Sequence, residues 1–312
     1  MGRTYDKTAT TVEQQMSLLL GRGMMCGDLD MMQAFLTTVG YYRLSAYWLP
    51  LELPPAEGQT RSKSFPPGVT FEQVVAIYVF DRKLRLALME GIERIEIAVR
   101  SRWTNRMTLA YGPHAHMNAA HFKCPIRYAE RLVKLNRDVG NSNEVMIEHY
   151  RTTYEHPELP PLWSATETMT IGDLSKWLAE TKDPSLQSAV ARDLGLPARE
   201  LLIGSLEVFS LIRNICAHHG RLWNRRLVKR LQYVKRFQAD LVLDAEGGTG
   251  RAQLSNLIDN SMVMLLHLLH HQNTDTGFPK RLKELVETVG DHERALMGFP
   301  AEWRTRPAWC LA

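Results

Sequence analysis

Residues 70–106 read TFEQVVAIYVFDRKLRLALMEGIERIEIAVRSRWTNR, and this stretch decides the fold. Val74, Tyr78, Leu84, Leu88, Ile92, Ile95, Val99 and Trp103 fall on one face at helical spacing, not in the alternation of a half-buried strand. Thr70, followed three residues later by Gln73, has the pattern of a capping box. Further apolar residues on the adjoining faces predict a long and deeply buried helix. Against that background Glu93, Glu96 and Arg100 share a face.

Outward from this helix, every well-patterned segment is also helical. Residues 11–36 predict one or two short helices, broken near Gly21-Arg-Gly23, with Asp28 or Asp30 starting the second. The aromatic-rich stretch Tyr41 to Leu51 predicts a helix or turn on the core. Leu53 to Gly68, with four prolines and two glycines, predicts a surface loop. Pro125 to His149 reads as one helix with a basic start (Arg127, Arg131, Lys134, Arg137) and an acidic end (Glu144, Glu148). Short helices are expected from Pro160-Pro161 toward Met169, from a Thr170 cap through Glu180, and from Asp183-Pro184 toward Leu194. Pro197 opens another, with Leu201, Leu202, Leu206, Phe209, Ile212 and Cys216 as its apolar stripe and Gly220 as its stop. Arg225 to Phe237 predicts a basic amphipathic helix. A mobile connection over 238–250, containing Gly247-Gly-Thr-Gly250, then leads to helices over about 252–271 and 279–288. The expected fold is all-α. Its expected parts are an N-terminal helical extension (1–69), a helical core (70–240) and C-terminal helices packed on that core (241–312).

Composition narrows the class. The formal net charge of the 312 residues is +4, so any nucleic-acid surface has to be local. Cys26, Cys124, Cys216 and Cys310 are scattered, the pattern of reduced thiols. The N-terminal apolar run Met16 to Leu20 is too short for a signal-peptide core, and no run reaches membrane-spanning length, so a cytoplasmic protein with no membrane partner is expected. His114, His116, His121 and Cys124 lie close together, but their spacing fits no standard zinc arrangement, and no metal site is assigned. Nucleotide-binding P-loops, dinucleotide glycine motifs, nucleophile elbows and His-Glu-x-x-His are absent, and no cofactor is expected.

Chemistry concentrates in Ile212-Arg-Asn-Ile-Cys-Ala-His-His-Gly-Arg-Leu-Trp-Asn-Arg225. Asn214 and His218 are four apart on one face, and Arg213 lies beside them. Imidazole takes and gives protons near neutral pH, and guanidinium holds phosphate through paired charged hydrogen bonds, so the set suits phosphodiester chemistry. An alternative use of the same side chains is to cap the last carbonyls of the helix. The Glu96-x3-Arg100 pair has two readings as well, a solvated intrahelical ion pair or a contribution to the site. For Arg225, Arg226, Lys229, Arg230, Lys235 and Arg236 the choice lies between gripping RNA phosphates and a solvated face.

The motif resembles the signature of AbiD/AbiF-type abortive-infection proteins of the HEPN superfamily. Three more stretches resemble that family in the same order: Gly40-Tyr-Tyr-Arg-Leu-Ser-Ala-Tyr-Trp-Leu-Pro50; Ile77-Tyr-Val-Phe-Asp-Arg-Lys-Leu-Arg-Leu86 with Ile92-Glu-Arg-Ile-Glu-Ile97; and Leu159-Pro-Pro-Leu-Trp163 through Glu167 to Gly172-Asp-Leu-Ser175. The resemblance implies a HEPN-type helical bundle, with helical additions at both ends, and a metal-independent RNA endonuclease of phage defence. In that reading His218 is the proton carrier, Arg213 the phosphate clamp, and Glu96 and Arg100 an acid–base pair on a facing helix. The residues themselves add Asn214 as an orienting group, with His219 and Arg221 in support. The resemblance further implies a homodimer with a composite site, and a small non-coding RNA partner or antitoxin. The other functional reading is a HEPN module that grips RNA without cutting it, acting with such a small RNA.

Overall fold

The computed structural model describes residues 4, 8–244, 253–272 and 277–310. Among them the fold is all-α, joined by short 3₁₀ turns and a few isolated bridges, with no strand assembled into a sheet. No helix among the described residues is long and apolar enough to cross a membrane. The chain divides into two compact units, Met1–Lys83 and Leu84–Ala312.

The first unit holds α1 (Val12–Gly21), α2 (Leu29–Thr38), α3 (Tyr41–Trp48) and the start of α4 (Phe71–Tyr111). Asp28, one of the two expected starts, caps α2 by accepting the Met31 N–H. Leu19, Met32, Leu36, Leu44, Phe71 and Val74 are buried. Most of the aromatic face of α3 turns inward: Tyr47 Oη donates to Asp81 Oδ2 (2.6 Å) and Trp48 is fully buried. Tyr42 alone of the described Gly40–Pro50 aromatics stands almost wholly exposed, at 92%. Thr70 and Gln73 form the expected capping box, each side chain accepting the other's backbone N–H. From there α4 runs one turn past the expected end at Arg106.

In the second unit α4 continues with Leu84, Leu88, Ile92, Ile95, Val99, Trp103 and Met107 buried at spacings of three and four. The unit adds α5 (Pro125–Gly140), α6 (Val145–Thr153), α7 (Leu162–Ala165), α8 (Ile171–Glu180), α9 (Pro184–Asp193) and α10 (Arg199–Ala217). Beyond these lie α11 (Ile258–Gln272), α12 (Phe278–Glu287), α13 (Asp291–Ala295) and α14 (Pro307–Cys310). Thr170 and Asp183 cap α8 and α9 as their sequence positions predict. An aromatic cluster of Trp103, Trp177, Phe122 and Tyr128 ties α4 to α8 and α5, and Trp103 Nε1 donates to Thr181 Oγ1 (3.0 Å).

Several expected boundaries move. The single helix over 125–149 is two, because residues 141–144 (Asn-Ser-Asn-Glu) break it; these short polar side chains compete for backbone hydrogen bonds, as in Ser142 Oγ accepting the Glu144 N–H. α10 begins two residues after Pro197, and α11 begins at Ile258, not near 252. The largest correction is Arg225 to Phe237, which is not an amphipathic helix. Its backbone is irregular up to a short 3₁₀ turn at Lys235–Phe237, and Leu227 exchanges hydrogen bonds with Asn256. Leu227, Leu231, Val234 and Phe237 are buried nonetheless, so the apolar spacing was real although the conformation differs. Of the expected connection, residues 245–250 lie outside the described residues, while Leu243 bridges to Leu254.

At Gly91, α4 lies close against α11 and α12. A Cβ there would lie 2.7 Å from both Leu265 Cδ2 and Phe278 Cζ. Alanine gains about 1 kcal/mol of helix propensity, but forcing a methyl into that contact costs about 1–3 kcal/mol. Gly91→Ala is therefore expected to lower the urea midpoint, and a raised midpoint would show that the two neighbours give way freely.

Candidate functional site

α10 carries the motif because its apolar stripe anchors it. Leu202, Leu206, Phe209, Ile212 and Cys216 are all buried, and the helix packs on α8 and α9. Gly172 in the first turn of α8 makes the close approach: a Cβ there would fall 2.8 Å from Ser210 Oγ. That contact sits one turn before Arg213 and Asn214, so the start of α8 is laid against the polar end of α10.

The helix ends in a Schellman turn. The His219 N–H reaches the Cys216 carbonyl (3.0 Å) and the Gly220 N–H reaches the Ile215 carbonyl (2.8 Å). The left-handed position of this turn is His219, with φ 56°, where glycine is the usual occupant; the expected glycine stop, Gly220, follows it. A second left-handed residue, Asn224 (φ 50°), lies five positions on. Between them Leu222 and Trp223 are fully buried, and Trp223 Nε1 donates to the Glu293 carbonyl (3.3 Å). Two core anchors thus fix a strained turn, a combination that recurs at functional sites.

His218 is the cap residue of α10. Its backbone N–H bonds the Asn214 carbonyl (3.0 Å), its side chain is exposed, and among the described residues its imidazole makes no hydrogen bond or ion pair. Arg213 is half-buried and donates weakly to Asn214 Oδ1 (3.4 Å). Helix-end capping is therefore done by backbone groups, which leaves the imidazole of His218 uncommitted.

From α4, Glu96 and Arg100 form an ion pair at 2.8 Å, with side chains only 17% and 14% exposed. Arg100 also donates to Glu167 Oε2 (2.8 Å) and to the Met169 carbonyl (3.0 Å). Burial pushes the Glu96 carboxyl above its usual range, while the Arg100 and Arg213 guanidiniums and the Ile171 N–H pull the other way. Arg213 is thus one of the charges that act on the Glu96 carboxyl. Among the described residues no hydrogen bond or ion pair joins Glu96 or Arg100 to His218. Glu167 lies 67 residues from Arg100 in the chain, so no local pattern connects the two and their contact is legible only in three dimensions.

The basic run after the motif is tied down. Arg226 and Arg230 both face Asp244, at 3.7 and 2.5 Å, and Lys229 Nζ donates to Glu207 Oε2 (2.6 Å). Burial alone would raise the Asp244 carboxyl, but hydrogen bonds from Arg230 and Ser255 and the field of both arginines hold it below its usual range. Arg225 donates to the Arg221 carbonyl (3.3 Å), and Lys235 and Arg236 sit exposed on the 3₁₀ turn. Half-buried Arg221 thus helps to hold the segment after the turn. Among the described residues no group of three or more His, Cys, Asp or Glu side chains is placed to hold a metal ion.

Residues 34–224, more than half of the chain, match the family model described as Abi-like protein. No curated protein and no solved structure matches the chain.

Proposed function

Because the chain belongs to the Abi-like protein family, a family of abortive-infection phage defence, we propose that it acts there as an RNA endonuclease of the HEPN type, centred on Arg213 and His218. The observation that carries this reading is the end of α10. The last turn of α10 and its cap carry a half-buried guanidinium, Arg213, whose field acts on Glu96, and an exposed imidazole, His218, with no partner of its own among the described residues. Arginine is suited to hold a phosphoryl group through two parallel bonds, and imidazole to move a proton near neutral pH.

In the proposed reaction the ribose 2′-oxygen attacks the adjacent phosphorus as an imidazole removes its proton. The bond from phosphorus to the 5′-oxygen breaks, and that oxygen takes a proton from a second acid. Arg213 offsets charge on the non-bridging oxygens. Glu96, held by Arg100, acts as a positioning residue that fixes Arg213. Asn214 orients the phosphate or His218. One chain offers one His218, so base and acid are supplied by two copies whose motifs face one cleft, and a homodimer follows from the reading.

The products decide it. RNA treated with the purified protein in the presence of a chelator is expected to carry 2′,3′-cyclic phosphate or 3′-phosphate ends and 5′-hydroxyl ends. Ends with 3′-hydroxyl and 5′-phosphate, or uncut RNA that nevertheless binds, would overturn the endonuclease reading; the second outcome would favour the RNA-gripping module.

A further inference from the structure

A groove of about 450 Å³ is lined by α5, α8 and α10, and Asn214, the chain neighbour of Arg213, is among its lining residues. Five cations line it: Arg127, Arg131 and Lys134 from α5, Lys176 from α8, and Lys229 from the segment after the motif. Against them stand three carboxylates, Asp173, Glu180 and Glu207. A chain whose whole formal charge is +4 therefore places a local excess of two positive charges beside its candidate site.

The carboxylates are not spread evenly. Arg127 pairs with Glu180 (3.1 Å), Lys134 with Asp173 (2.9 Å) and Lys229 with Glu207 (2.6 Å), which holds these three side chains on the groove wall. Arg131 and Lys176 have no carboxylate partner among the described residues. Arg131 donates to the Arg127 carbonyl (3.1 Å), while its Nε is buried with no hydrogen bond. A buried guanidinium N–H left unpaired is costly, and Arg131 brings to the groove a full positive charge with no carboxylate to offset it. Lys176 is exposed.

We propose that this groove is the track for the phosphate backbone of single-stranded RNA leading to Arg213 and His218, with Arg131 and Lys176 as the cations that meet it first. The inference rests on the reading of that motif as an RNA site. The groove has the volume of a small-ligand pocket, enough for a short length of one backbone, whereas duplex RNA is read across a broad surface spanning successive grooves. The two basic runs visible in the sequence, one before and one after the motif, meet here through Arg131 and Lys229.

The test is binding of a short fluorescent 2′-O-methyl oligouridylate to the full-length protein across a salt series. The probe has no 2′-hydroxyl to attack phosphorus, so binding is read whether or not the protein cuts RNA. Arg131→Ala with Lys176→Ala is expected to weaken binding and to flatten the salt dependence by about 0.7 log unit per log unit of salt for each lost contact, about 1.4 for the pair. Arg131→Lys with Lys176→Arg is expected to keep the wild-type slope. If the double alanine variant loses its helical circular dichroism, exposed Lys176→Ala alone carries the test, with an expected change of about 0.7. An alanine variant that binds with wild-type slope, a wild type that does not bind the probe, or equal charge-dependent binding of a duplex overturns the proposal. A protein that binds through these cations yet never cuts RNA would instead sink the endonuclease reading and leave the groove standing.

Discussion

Under the proposed reaction, His218→Ala is expected to cut RNA about 10²-fold or more slowly than the wild type while binding it with similar affinity, the usual scale for losing a general acid or base. The structure makes this a clean substitution. His218 caps α10 through its backbone N–H, which alanine keeps, and its exposed imidazole has no hydrogen bond or ion pair to lose among the described residues. Stability should therefore stay within about 0.5 kcal/mol of wild type. Arg213→Ala is expected to lose a similar or larger factor, about 10²–10³, because the proposed reaction then lacks its preorganised donor to the phosphoryl oxygens. It also removes one of the two guanidiniums that restrain the Glu96 carboxyl, so that carboxyl should titrate still higher in the variant. Single-turnover cleavage of a labelled RNA reads both effects, and survival of cells expressing each protein reads them in vivo. Equal rates and equal toxicity for all three proteins would remove the motif from catalysis.

The parts of this protein legible in its sequence are those governed by local periodicity and capping. The long helix, its Thr70 box, the caps at Thr170 and Asp183, and the burial of Leu202 through Cys216 follow from spacing alone, because each depends on neighbours a few residues away. Arg225 to Phe237 shows where that logic stops. Leu227, Leu231 and Val234 recur at helical spacing, yet their burial is achieved by an irregular chain held by Asn256 and Asp244, residues that no local pattern connects to them. The same limit hides the electrostatics of the site. That Glu96 and Arg100 share a face is readable from their numbers, but whether the pair is solvated depends on Glu167, Met169 and Ile171 arriving from another segment. The left-handed His219 was equally hidden, since the sequence offers Gly220 as the natural stop and the helix terminates one residue earlier. Arg131 is visible in the sequence only as one basic residue in a run, and its place in one groove with Lys229 is a product of packing.

A second large effect is expected far from the motif, in the pH dependence of stability. Asp259, in the first turn of α11, is fully buried, and neither carboxyl oxygen has a hydrogen bond among the described residues. Burial pushes its pKa up to about 8; the field of Arg306 and the nearby Trp309 N–H, which falls short of hydrogen-bond geometry, oppose the rise, and the field of Asp240 adds to it. Asp240 is itself engaged, accepting from the Ala308 N–H (2.9 Å) and facing His267 Nε2 at 2.8 Å. Between pH 4 and pH 8 the folded chain therefore keeps a proton on Asp259 that the unfolded chain has released. Binding more protons when folded means that this group's contribution to stability is fully present below about pH 4 and is lost as pH rises toward 8. At pH 7 the linked loss is roughly 4 kcal/mol, at about 1.4 kcal/mol for each unit between the unfolded pKa and the working pH. Asp259→Asn keeps the shape and a neutral polar group but removes the titration. The variant is expected to resist urea better than wild type at pH 8, by several kcal/mol, with the difference shrinking steadily toward pH 5. A gap that stays constant with pH would show that Asp259 is ionised in the folded protein and that Arg306 neutralises it.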